Sequence, residues 1–246
     1  MARALVWAIA AIAAAALGMT LLAKGSTSGP LALVGVALAL LGALVVRRAG
    51  NPIGWFFLVA GASIGLAAFT DAFINYSFLG RSTPLWGTSA AGWVNSVAFT
   101  TLSAPLPLIF LLFPSGRVPS GRWRPVVWLW TTSLVLLVAG VAFRPGNVFE
   151  STPQQGGIHI ANPLGVHGAE PVLGPLIQAA VVGLVAVAAL STVSLFMRFR
   201  LAKGEERQQL KWLAYVAGLL VLLFAVLALG DAFTHDNPTG GLGVAE

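Results

Sequence analysis

Seven long apolar runs divide this sequence, and they limit the kinds of fold it can adopt. A bilayer core about 30 Å thick takes about 20 helical residues to cross, and most of the runs are close to that length. Inside hydrocarbon the backbone must satisfy its own hydrogen bonds, which a helix does within one segment. The runs therefore predict transmembrane helices at 4–23, 30–46, 53–72, 92–113, 125–143, 173–197 and 212–232.

The composition supports the same fold class. Only 9% of the residues are charged and 57% are hydrophobic, whereas soluble domains carry about 25% charged residues. The first run follows Met1-Ala2-Arg3 and could pass for a signal peptide, but another apolar run follows it, which favours a retained signal anchor. The predicted fold is an all-α, polytopic membrane helix bundle, with residues 1–246 forming one integral membrane domain.

The placement of lysine and arginine predicts the orientation. Cytoplasmic loops of membrane proteins carry an excess of these residues. Eleven of the fourteen fall on one side of the predicted helices, and Lys24, Arg81 and Arg144 fall on the other. The N-terminus is therefore predicted inside and the C-terminus outside. The eleven are Arg3, Arg47, Arg48, Arg117, Arg122, Arg124, Arg198, Arg200, Lys203, Arg207 and Lys211.

Two basic segments dominate the predicted inner face, and both are candidates for signalling or lipid contact. The first is a turn-rich loop with Arg117, Arg122 and Arg124, whose Trp123 suits the level of lipid head groups. The second contains Arg198, Arg200, Lys203, Arg207 and Lys211. The net charge is +6, and because the cations adjoin apolar runs, we expect anionic lipid as the partner rather than nucleic acid.

The outer loops offer weaker patterns. Residues 144–172 form the largest, and a small hairpin is predicted at Gly157-Ile158-His159-Ile160. All three histidines, His159, His167 and His235, fall on the predicted outer side. They lack a metal-ligand spacing, so solvated loop histidines are favoured over a metal or pH-sensing cluster, and no metal or cofactor is expected.

Gly61 and Gly65 form a G-x-x-x-G pair in the third predicted helix. Such a pair lets another backbone approach closely. The pattern favours packing within the chain, and contact in a homodimer is the alternative.

A mildly polar stripe runs along the fourth predicted helix. It consists of Asn95, Ser96, Thr100 and Ser103, and is followed by Pro105 and Pro107, which are expected to kink the helix. The stripe is interpreted either as hydroxyls bonded to backbone or as the lining of a pocket for a small ligand.

Residues that would support catalysis or ion transport are scarce. The chain has no cysteine, and it contains no phosphate loop, G-x-S-x-G or H-E-x-x-H motif. Of the acids, only Asp71 and Asp231 approach the membrane interior, both at predicted outer helix ends. We therefore expect no enzyme and no proton-coupled transporter.

Four stretches together resemble a known family. They are Asn51-Pro52-Ile53-Gly54-Trp55, the segment 111–120, Arg122-Trp123-Arg124-Pro125 and the segment 204–212. In these residues the chain is similar to the N-terminal multi-helix membrane module of actinobacterial sensor histidine kinases, over most of residues 45–232.

The resemblance implies a non-catalytic sensory input module of a two-component system in a bacterial cell membrane, with a histidine kinase or a second copy as partner. In two respects the chain departs from the family. Ser115 stands where the family usually has an acidic residue, and the kinase core is absent, so we expect a module truncated or split from its kinase. The alternative is an orphan multi-pass membrane protein or a transporter subunit.

Overall fold

A computed structural model describes most of the chain. It covers residues 2–22, 28–49, 52–78, 83–102, 105–113, 115–151 and 157–201, together with Gly204, Arg207, Gln208, Lys211 and Tyr215. The chain divides into two compact units, Met1–Ser194 and Leu195–Glu246.

The described part of the chain is mostly helical. The helices are α1 (Ala2–Leu22), α2 (Gly29–Ala49), α3 (Ile53–Phe78), α4 (Thr88–Leu102), α5 (Pro105–Leu112), α6 (Arg124–Phe143) and α7 (Glu170–Leu201). A short 3₁₀ turn at Gly121–Trp123 leads into α6, and two strands, β1 (Asn147–Glu150) and β2 (His159–Ala161), follow it. The helical class predicted from the apolar runs is confirmed.

Among the described residues, five helical stretches are long and apolar enough to cross a membrane. They are Gly29–Arg47, Ile53–Phe78, Thr88–Leu112, Gly121–Phe143 and Glu170–Leu201. The first predicted run coincides with α1, and the seventh, 212–232, lies outside the described residues apart from Tyr215.

The third helix is longer than predicted. We expected it to end at residue 72, but α3 continues to Phe78, so Asp71 lies inside the helix rather than at its end. The extra turns are retained because Ile74 is fully buried under the hairpin and Ser77 Oγ donates back to the carbonyl of Ile74 at 2.8 Å.

The backbones of α2 and α3 are in close contact. A Cβ built on Gly61 would lie 2.6 Å from the backbone nitrogen of Ala39, and one on Gly42 would lie 2.7 Å from the carbonyl oxygen of Gly54. A methyl group at either position would overlap the facing helix. The glycines therefore let the two backbones meet directly.

The fourth predicted helix is described in two segments, and residues 103 and 104 between them lie outside the described residues. The described part of α4 runs to Leu102, and α5 begins at Pro105. Helix α5 then ends in a tight turn, in which Gly116 takes a φ of 73° and donates its N–H to the carbonyl of Leu112 at 2.8 Å.

The two strands form an antiparallel hairpin that differs from the predicted one. Of the expected segment only His159 and Ile160 are extended; they belong to β2, which pairs with Asn147–Glu150 from the start of the same loop. Val148, Ile158 and Ile160 form a buried cluster with Ile74 of α3. This apolar underside places the hairpin against the ends of α3 and α4.

Candidate functional site

A polar cavity of about 590 Å³ lies between α3, α4, the end of α6 and β1. Its size is in the range of small-molecule sites, about 300–1,000 Å³. We call it the polar cavity, and its lining is Asp71, Asn75, Asn95, Ser96, Phe99, Thr100, Val141, Arg144, Val148, Phe149, Glu150 and Ser151.

Helix α4 supplies the wall that the sequence indicated. Asn95, Ser96 and Thr100 all line the cavity, while Ser103 lies outside the described residues. The Thr100 hydroxyl donates to the carbonyl of Ser96 at 2.8 Å. The stripe thus has hydroxyls bonded to backbone and also lines a cavity, and its role in binding a small ligand stays a prediction.

Asn95 connects α4 to α3 at the back of the cavity. Its Nδ2 donates to the carbonyl of Ala67 at 2.8 Å and to Thr70 Oγ1 at 3.0 Å. A second link lies two residues before Asn95, where Trp93 Nε1 donates to the carbonyl of Ala142 at 2.9 Å near the end of α6. These bonds hold the three helices around the cavity.

Helix α3 contributes a carboxylate and an amide one turn apart. Asp71 accepts a hydrogen bond from the Ser28 hydroxyl, at the start of α2. The Asn75 Nδ2 donates to the backbone oxygen of Asp71 at 2.9 Å and to Asp71 Oδ2 at 3.4 Å. The carboxylate is thus held in place by donors from two helices.

The segment after α6 contributes one cation and one anion. Arg144 ends the helix, and its Nη2 donates to the carbonyl of Asn147 at 3.2 Å. Asn147 Nδ2 in turn donates to Glu150 Oε1 at 3.0 Å. Asn162 Nδ2 donates to the carbonyls of Ala142 and Arg144 at 3.0 and 2.7 Å, which anchors this segment.

Much of the cavity was missed in the sequence. In the sequence, Asp71 stands out only as an acid at a predicted helix end and Arg144 only as a cation on the predicted outer side, and Glu150 has no distinguishing pattern. The available signal was the spacing of Asp71 and Asn75, which puts both on one helix face at i and i+4. Nothing local in the sequence indicated that β1 would bring Glu150 beside them.

The first basic segment is exposed. Arg117, Arg122 and Arg124 all have exposed side chains, and Trp123 is half-buried. The Trp123 ring packs on a buried cluster of Leu108, Leu111, Val126 and Val187. The turn therefore rests on an apolar base and presents its guanidinium groups outward.

The second basic segment belongs mainly to the unit Leu195–Glu246. There Arg200 lies 5.1 Å from the Phe196 ring centre, Arg207 lies 5.6 Å from that of Phe199, and Lys211 lies 5.7 Å from that of Tyr215. Arg198 is half-buried, and Lys203 is outside the described residues. Phe199, Gly204, Arg207, Gln208, Lys211 and Tyr215 line a cavity of about 520 Å³.

Gly61 and Gly65 both lie against α2 of the same chain. Gly61 faces Gly35 and Ala39, and a Cβ on Gly35 would lie 3.0 Å from the backbone nitrogen of Gly65. The helix face that carries Gly61 and Gly65 therefore packs against α2 within the chain.

Histidine and acidic side chains do not gather into a metal site in the described ranges, where no group of three or more potential ligands is found. His159 and His167 are exposed, and His235 lies beyond the described residues. No family model, curated relative or solved structure matches this chain.

Proposed function

We propose that this chain is a non-catalytic sensory input module of a bacterial cell membrane, serving a histidine kinase core that lies outside these 246 residues. The observation that supports it is the path of α6, which begins at Arg124 in the basic loop and ends beside Arg144 of the polar cavity. Its 20 residues extend about 30 Å at 1.5 Å per residue. One helix therefore links a ligand-sized cavity to a cationic surface across a distance similar to a bilayer core.

The proposed topology has seven spans, with the N-terminus inside and the C-terminus outside. The polar cavity and the hairpin then belong to the outer face, and the two basic segments belong to the inner face. Anionic lipid head groups are the expected neighbours of the exposed arginines. This arrangement follows from the cation distribution in the sequence.

The proposed signal is a shift between two packings of α3, α4 and α6. A ligand changes such an equilibrium only if it binds one packing better than the other. Residues from all three helices line the polar cavity, and the hydrogen bonds of Asn95 and Trp93 join the helices next to it. A ligand that competes for those groups would favour one packing, and α6 would carry the change to the basic loop.

Transport is the competing function. A polar cavity inside a helix bundle is also what a transporter subunit needs. A solute moving from this cavity toward the basic loop would meet the buried apolar cluster of Leu108, Leu111, Val126 and Val187. That cluster favours signalling over passage.

The test is capture of a kinase partner. The tagged chain, expressed in its own host, should co-purify a histidine kinase whose phosphorylation changes when Arg207 and Lys211 are both replaced by Gln. Arg47→Gln is the control, because Arg47 is exposed and outside both basic segments, and the proposed topology assigns it to the same inner face. Absence of a kinase, together with unchanged phosphorelay output on deletion, contradicts the proposal. Solute flux in liposomes would support a transporter subunit instead.

A further inference from the structure

The charges around the polar cavity are of both signs. Its lining contains two carboxylates, Asp71 and Glu150, and one guanidinium, Arg144. An anion without an ammonium group would meet the like charge of Glu150, and a cation without an acid group would meet that of Arg144. The set is best matched by a ligand that carries both charges.

Arg144 and Glu150 remain available to a ligand although they are close in sequence. Within the described residues they form no ion pair, and Asn147 lies between them. The Asn147 carbonyl accepts a hydrogen bond from Arg144, and its side-chain amide donates one to Glu150. A guanidinium has five N–H donors and a carboxylate has about four acceptor positions. Among the described residues Arg144 uses one donor, toward Asn147, and Glu150 uses one acceptor, from Asn147, so most of their bonding capacity is uncommitted.

The remaining lining fits a compact organic molecule. Phe99, Val141 and Phe149 give an apolar wall, and the hydroxyls and amides of α3 and α4 give neutral donors and acceptors. A guanidinium binds a carboxylate through two parallel hydrogen bonds, which fixes its orientation. A carboxylate such as Glu150 suits an ammonium group.

We propose that the polar cavity binds a small zwitterion of the amino-acid type, with its carboxylate on Arg144, its ammonium group on Glu150 and its side chain against Phe99 and Phe149. This inference names the stimulus for the proposed sensory module and rests on that function only for its biological meaning. The binding itself is a property of the cavity.

The experiment measures binding of free amino acids to the full chain in lipid nanodiscs by calorimetry. The twenty common amino acids are tested first, and the tightest is compared with its amide, which keeps only the ammonium group, and its N-acetyl form, which keeps only the acid. The parent compound should bind at least about tenfold more tightly than either derivative, equivalent to about 1.4 kcal/mol.

Two variants assign the two charges. Arg144→Gln should weaken binding of the parent amino acid by about tenfold or more and leave binding of the amide unchanged. Glu150→Gln should also weaken binding of the parent amino acid but leave binding of the N-acetyl form unchanged. Arg122→Gln and Glu170→Gln are the matched controls, because each alters an exposed charge that does not line the cavity.

The outcomes separate this inference from the proposed function. If none of the amino acids binds at about 10 mM, a concentration well above a millimolar dissociation constant, the proposal of a zwitterionic ligand is overturned. Equal binding of the parent amino acid, its amide and its N-acetyl form overturns it as well. If an amino acid binds with the expected charge dependence but no kinase partner is found, the zwitterion site is supported and the sensory role is contradicted.

Discussion

Asn95 on α4 donates a hydrogen bond from its Nδ2 to the backbone carbonyl of Ala67 on α3, at 2.8 Å, in a buried position beside the polar cavity. The same nitrogen reaches Thr70 Oγ1. An amide that bridges two helices away from water is a specific contact, because few alternative partners exist there.

Replacing Asn95 by Leu should therefore loosen α4 from α3. Side-chain hydrogen bonds between membrane helices contribute about 0.6 kcal/mol on average and up to about 1.7, and we expect a loss of about 1 kcal/mol in the free energy of unfolding. Unfolding in mixed micelles by denaturing detergent measures it. Ser96→Ala, at the next position, should change stability by less than about 0.5 kcal/mol. Equal effects of the two variants would show that the bond does not hold the helices.

Replacing Gly61 by Ala should destabilise the contact between α2 and α3. The added methyl would lie 2.6 Å from the backbone nitrogen of Ala39, and overpacking of this kind costs about 1–3 kcal/mol. The same unfolding assay applies. Gly174→Ala in α7 is the control, because a Cβ there meets nothing within 4 Å. If Gly61→Ala is as stable as the control, the close approach is wrong.

The proposed orientation predicts which loops are reached from outside the cell. The chain has no cysteine, so a single introduced cysteine is the only thiol. A membrane-impermeant maleimide should label His167→Cys in intact cells and label Ser115→Cys only after lysis; both native side chains are exposed. The unsubstituted chain is the control. Labelling of Ser115→Cys in intact cells would reverse the topology.

Replacing Ile160 by Ala should release the hairpin from the helices. Ile160 is 5% exposed and packs with Ile74 and Val148, and Ile→Ala in a core costs about 2–5 kcal/mol. Hydrogen exchange at the Ser151 amide, which bonds the carbonyl of Ile158 at 3.0 Å, should accelerate by at least about tenfold. His159→Ala, at the adjacent exposed position, should leave the exchange rate unchanged. Equal rates in both variants would contradict the packing.

Helix positions were predictable because a membrane-length apolar run has few alternatives. Pro125 stands in the first turn of α6, where a missing N–H breaks no helical hydrogen bond. The end of α3 was not predictable, because the polar residues Asn75 and Ser77 suggested a loop. Burial of Ile74 under the hairpin, a contact with a distant segment, keeps that region helical.

The cavity was only partly predictable for a similar reason. Asn95, Ser96 and Thr100 share a helix face, so their periodicity revealed one wall. Glu150 reaches the cavity through the pairing of β1 with β2, whose register contains an irregularity between Asn147 and Phe149. Such pairing joins two short strands across a long loop, and neither strand has a strong alternating pattern of its own.

The glycine contact between α2 and α3 has a mechanical consequence. With Gly42 against Gly54 and Gly61 against Gly35, neither helix can slide or roll past the other without driving side chains into backbone. Helices α2 and α3 should therefore keep a fixed relative position. Any displacement on ligand binding should occur in α4 and α6, which are held by hydrogen bonds that can exchange partners. Distance measurements between labelled helices should then find α2–α3 separations fixed while those from α3 to α6 vary.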